Sequence, residues 1–144
     1  RFSHYETIAG GAGAVPGRRG ASAVQVHMTN TAITDPEILE HRFPVRVERF
    51  GVRKNSGGRG LRPGGDGVVR VYRFEEEPEV SLLTQQRDHG PPGLEGGEAG
   101  RPGRQWLVHP DGRREDLPYA CTRRVKPGTR LVVKTPGGGA YGPA

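Results

Sequence analysis

The sequence predicts a β-rich α+β fold: short antiparallel strands and hairpins, one short helix near residues 36–42, and long Gly/Pro-rich loops. Short runs rich in valine, leucine and aromatic residues recur, each bounded by glycine, proline or asparagine. Only one segment carries a helix start. Hydrophobic residues make up 32% of the chain, while 24 glycines and 13 prolines interrupt its elements, so the core must be thin.

In chain order, His4–Ile8 reads as a short strand, and Gly10–Gly13 lets backbone come close to a neighbour. No phosphate cradle forms there, because a P-loop lysine is missing and Pro16 stands where a dinucleotide fingerprint needs glycine. Thr34 or Asp35 caps the helix, Pro36 and Glu37 open its first turn, and Ile38 and Leu39 supply its apolar face. Pro44 ends it. Val45–Arg53 is a strand in which Val45 and Val47 are out of phase with Phe50 and Val52, which a bulge near Glu48 and Arg49 would correct.

Asn55–Gly67 is a loop with six glycines, where the amides of Gly57 and Gly58 beside Arg59 form a candidate anion nest. Val68–Phe74 is apolar on both faces and belongs inside the sheet. An acidic turn around Pro78 leads into Val80–Thr84, expected to pair with the preceding strand as a hairpin. Gln85–Gly103 is loop. Gln105–His109 and Arg113–Leu117 flank a Pro-Asp-Gly turn, Lys126–Thr129 suits a type II turn, and Leu131–Lys134 is the final strand before a glycine run.

Between the first glycine segment and the helix lies H-M-T-N-T from His27, which brings an imidazole, hydroxyls and a carboxamide together. With it, in order, come Y-E-T-I-A-G-G-A-G-A from Tyr5, T-D-P-E-I-L-E from Thr34, S-G-G-R-G from Ser56 and G-G-D-G from Gly64. S-L-L-T from Ser81, G-L-E-G-G from Gly93 and T-P-G-G-G-A-Y-G from Thr135 complete the set. Singly weak, these motifs in this order resemble the hydantoinase B/5-oxoprolinase family, the B half of oxoprolinases, N-methylhydantoinases and ketone carboxylases. The resemblance is to the C-terminal part of a longer B subunit. Residues 1–144 are thus expected to be a C-terminal segment rather than a complete domain, and the opening Arg1 and lone Met28 fit a truncation.

The resemblance implies an ATP-dependent cyclic-amide hydrolase. A hydantoinase A-type subunit or domain phosphorylates the carbonyl oxygen, and the B half then opens the lactam ring. ATP would sit in the A half and a divalent metal in the N-terminal part of the B subunit, with no cofactor bound by this segment and no metal ligand set in it. The partners are the A half, in a hetero-oligomer, the N-terminal part of the B subunit and a small cyclic amide. Glu6, His27, Asn30 and Thr31 are the candidates for lining the shared cavity and orienting substrate. This segment alone is expected to be inactive. A ketone carboxylase subunit of the same family is the alternative, and a non-catalytic β-rich interaction module from a truncated gene is the third reading.

The net charge of +6 invites a nucleic-acid partner, but the arginines are scattered among acids with no aromatic platform between them. Neither a membrane-crossing run nor a signal-peptide pattern is present, and the single Cys121 can form no internal disulfide. A cytoplasmic location is the expectation.

Overall fold

The computed structural model describes residues 3–26 and 32–144. Among them are one helix, α1 (Pro36–Arg42), and seven strands: β1 (Val45–Arg53), β2 (Gly67–Phe74), β3 (Glu79–Leu83), β4 (Arg104–Val108), β5 (Arg114–Asp116), β6 (Ala120–Arg124) and β7 (Arg130–Lys134). Five strands make an antiparallel sheet in the order β1-β2-β7-β4-β5, and β3 pairs with β6 in a separate ribbon.

The helix begins as its sequence dictates. Asp35 accepts a hydrogen bond from the Glu37 amide at 2.9 Å, and Pro36, which lacks a donor, fills the first turn. Only Leu39 is buried, however; Ile38 remains 49% exposed. Adjacent helical residues point roughly 100° apart, so a helix of this width on the sheet cannot bury both. Leu39 joins Val45, Tyr72, Leu107, Val125, Leu131 and Val133 in the core.

Strand β1 carries the expected bulge, with the register shifting between Val47 and Arg49. Val45, Val47, Phe50 and Val52 thereby meet Phe74, Tyr72, Arg70 and Val68 on one face. Glu48, the extra residue, reaches Arg130 on β7 at 2.6 Å. The turn before β7 is also as read: Gly128 has φ of +86° and the Thr129 amide donates to Lys126 O at 3.1 Å.

Two further expectations fail. β3 does not form a hairpin with β2, because both edges of β2 are taken, one by β1 and the other by β7. It pairs instead with β6, Leu82 opposite Cys121. Nor is His4–Ile8 a strand, although residue 10 forms a single bridge with Val24.

That first segment belongs to a different kind of structure. Four glycine-rich stretches, around residues 8–24, 56–66, 90–101 and 136–142, are laced together by backbone hydrogen bonds outside any ladder. The 136–142 stretch is central. Gly137 donates to Arg101 O, Gly138 to Gly65 O, Ala140 to Glu98 O and Tyr141 to Arg62 O, at 2.8–3.2 Å. In return Pro136 O accepts from Gly11, Gly138 O from Gly58 and Gly139 O from Ala14.

Successive residues of the central stretch face successive neighbours, the threefold pattern of a polyproline II-type chain. A Cβ built on Gly137 would lie within 3.0 Å of Ser56 backbone, one on Gly138 within 3.0 Å of Ala12, and one on Gly139 within 3.0 Å of Pro92. Side chains are excluded from all three directions. Much of the fold is therefore held by peptide groups rather than by side-chain volume, which is how a chain so poor in hydrophobic residues stays compact.

Candidate functional site

The sheet, the residue before the helix cap and the first segment of the chain meet at Arg70. It lies in the middle of β2, the most apolar strand, and its side chain is fully buried. Its Nε donates to the Tyr72 hydroxyl at 2.9 Å and its Nη2 to Thr34 O at 3.2 Å. The Phe50 and Tyr72 rings cover the guanidinium, with centroids 4.7 and 5.2 Å from Cζ.

Glu6 supplies the counter-charge. Its Oε1 stands 3.1 Å from Arg70 Nε, and its Oε2 stands 3.4 Å from His4 Nε2. The ion pair is incompletely bonded: neither Glu6 oxygen receives a directed hydrogen bond, and Arg70 Nη1 has no partner, although all three atoms are buried. Burial pulls the arginine below its ordinary pKa, and the Glu6 carboxylate pushes in the opposite direction.

Described residues on either side of positions 27–31 are bonded near this pair. On the entering side the Gln25 carboxamide donates to Thr7 O at 3.0 Å, next to Glu6, and Val24 is bonded to Gly10. On the leaving side Thr34 is held by Arg70. A pocket of about 220 Å³ opens between these anchors, lined by Ala9, Ala23, Gln25, Ile33, Phe50 and Val68. His27, Asn30 and Thr31 themselves lie outside the described residues.

Of the residues proposed from sequence, then, the structure puts Glu6 at the centre of the cluster. Gly57, Gly58 and Arg59 belong to the glycine bundle instead. Ser56 and Gly57 amides both donate to Asp66 Oδ1, at 2.9 and 2.8 Å, and the Gly58 amide donates to Gly138 O. The Asp66 carboxylate thus takes the Ser56 and Gly57 amides, and Gly58 serves the bundle instead. Arg59 forms an exposed bidentate pair with Glu98 at 2.9 and 3.1 Å. Replacing Asp66 with alanine is expected to cost about 1–3 kcal/mol by leaving these amides unpaired, read as a lower urea midpoint with an unchanged slope.

Arg70 was the residue that sequence reasoning overlooked. Its signal was present: a lone arginine alternating with Val68 and Tyr72 faces the core. Among the described residues no three His, Cys, Asp or Glu side chains gather into a metal site.

The family is now plain: the chain belongs to the hydantoinase B/oxoprolinase family, whose model matches residues 1–144. Particular relatives sharpen this. Over 141 residues the chain is 51% identical to 5-oxoprolinase 1 of Arabidopsis thaliana, covering 98% of this chain and 11% of that protein. It matches the crystal structure of an ATP-dependent caprolactamase from Pseudomonas jessenii with a TM-score of 0.78 and 26% identity, over 94% of this chain and 24% of the other. An acetone carboxylase shares the fold, with a TM-score of 0.71 and 18% identity over 93% of this chain and 22% of that one. The chain therefore spans about a tenth of the curated 5-oxoprolinase it matches.

Proposed function

We propose that this chain is part of an ATP-dependent hydrolase of cyclic amides, as a C-terminal segment that leans on the rest of a B-type half. A hydantoinase A-type half would activate the lactam carbonyl by phosphorylating its oxygen. An amide carbonyl is a poor electrophile, and this step gives it a leaving group. ATP and a divalent metal belong, in this reading, to parts of the enzyme outside these residues. A cytoplasmic location accompanies the proposal; no helix among the described residues is long and apolar enough to cross a membrane.

The observation that carries the reading is the gathering of Glu6 and Thr34 around buried Arg70, with Gln25 bonded to Thr7 beside Glu6. A buried charge pair beside a small pocket is a setting that can position a small ring. Asn30 and Thr31 have the donors and acceptors to address a lactam N–H and carbonyl, and His27 has a group able to carry a proton near neutral pH. The identity to a 5-oxoprolinase favours a lactam over a ketone, since the likeness to acetone carboxylase extends to fold alone.

In the full-length enzyme, His27→Ala and Asn30→Ala are each expected to lower kcat for lactam opening by about 10²-fold or more, with the melting temperature unchanged. Wild-type turnover by either folded variant would remove that residue from the site.

A further inference from the structure

The five-stranded sheet turns one face to the core and the other away from it. Register places Arg49 and Arg53 of β1, Lys134 of β7, Arg104 of β4 and Arg114 of β5 on the outward face, around the half-buried Trp106 ring. Lys134 and Arg104 are direct cross-strand neighbours. Arg114 Cζ lies 4.0 Å and Lys134 Nζ 5.3 Å from the Trp106 ring centroid. The ammonium of Lys134 is pushed below its usual pKa by burial and by Arg53, Arg49, Arg104 and Arg114.

The two ends of this face are treated differently. At one end Arg46, Arg73 and Arg130 are balanced by Glu48 and Glu75. Arg114 starts in the row of Arg130 but reaches over Trp106 toward the other end, where the pairing shown is that of Asp116 with Arg114, at 2.8 Å. Arg53 gives its hydrogen bonds to Pro102 O and Thr135 O instead of to a carboxylate. Arg87 nearby gives its own to Gln85 O and Gln105 Oε1, and burial with the charge of Arg53 lowers its pKa to about 10. Like charges opposite one another destabilise a sheet, so this end is held together against its own repulsion.

A flat patch of arginines around a tryptophan has the composition of an interface centre. Its cations outnumber its acids: Asp116 and Asp88 stand beside Arg49, Arg53, Arg87, Arg104, Arg114 and Lys134. We propose that the basic end of this sheet face docks an acidic protein surface contributed by the rest of the enzyme polypeptide. The relatives are long enough to supply one, since the chain covers only 11% of the 5-oxoprolinase of Arabidopsis thaliana. The inference needs a longer polypeptide and does not need lactam activity, so the two can fail separately.

The test uses the intact enzyme. Arg104→Glu removes a repulsion from Lys134 if the face is free, and creates one with the partner if it is docked. A fall in melting temperature is expected, and a rise or no change would overturn the docking. Carbodiimide coupling of the native enzyme, mapped by mass spectrometry, provides a second reading that does not depend on a variant folding. Lys134 is expected to couple to an aspartate or glutamate outside residues 1–144 of the same polypeptide. Coupling to Asp116 or to a second copy, identified by mixing isotopically heavy and light enzyme, overturns the proposal, as does acetylation of Lys134 as fast as that of exposed Lys54 and Lys126.

Discussion

Gly138→Ala is expected to destabilise the protein by about 4 kcal/mol or more, among the largest effects a single methyl group can have. The new Cβ would fall within 3.0 Å of the Ala12 carbonyl and of the Gly13 amide nitrogen. Neither neighbour is a side chain that can swing aside. Both are backbone in the same bundle, where Ala12 also accepts from Gly65 and Gly138 donates to Gly65. Relieving the clash therefore means breaking hydrogen bonds between three stretches of chain at once. Gly51 on β1 is the control, since a Cβ there meets nothing within 4 Å. Gly51→Ala is expected to be neutral or to stabilise by about 0.4–1 kcal/mol through the unfolded chain. Thermal denaturation of the two variants side by side decides the matter, and equal melting temperatures would contradict the bundle.

The second large effect is at Arg70. Arg70→Met leaves the Glu6 carboxylate buried beside an apolar side chain, and loss of one partner of a buried ion pair costs about 3–5 kcal/mol. The double variant Glu6→Gln/Arg70→Met removes both charges and is expected to recover most of that loss, because the pair is incompletely bonded to begin with. A double-mutant cycle on the melting temperature measures the coupling. Additive losses would mean that the two residues do not act on each other. Activity should behave differently from stability: the double variant should remain slow, because Thr34 loses its anchor whether or not the charge is balanced.

Much of the fold was legible because it is set by chemistry local to a few residues. Asp35 with Pro36, the phase change across Glu48, and the proline and glycine turns before β5 and β7 each declare themselves within a handful of positions. The pairing of β3 was not legible, since it depends on which edges of β2 remain free once β7 has arrived. His4–Ile8 looked like a strand because its residues suit extended backbone, and nothing local distinguishes a ladder from a bundle of threefold chains. Ile38 was placed inside by counting apolar residues without allowing for the angle between neighbours. At the candidate site Glu6 stood inside a quoted motif, but its partner Arg70 was hidden by the apolar residues around it. Of the nest glycines, Gly57 gives its amide to Asp66 in the next motif along the chain, while Gly58 gives its amide to Gly138 O, partners that no local pattern announces.

The position of the central bundle stretch also governs the order in which the protein can assemble. Residues 136–142 are contacted by stretches that begin near residue 8, and they follow all of those stretches in sequence. Strands β1 and β2 can zip as they emerge from the ribosome, but β2 receives its second neighbour, and the glycine stretches their hub, only when the last part of this chain has been made. Closing contacts of such sequence separation is slow. Until then the groups that pair with this stretch, such as the Gly11, Ala14 and Gly58 amides, lack their acceptors, so the half-made chain should depend on chaperones more than a helical domain of the same length.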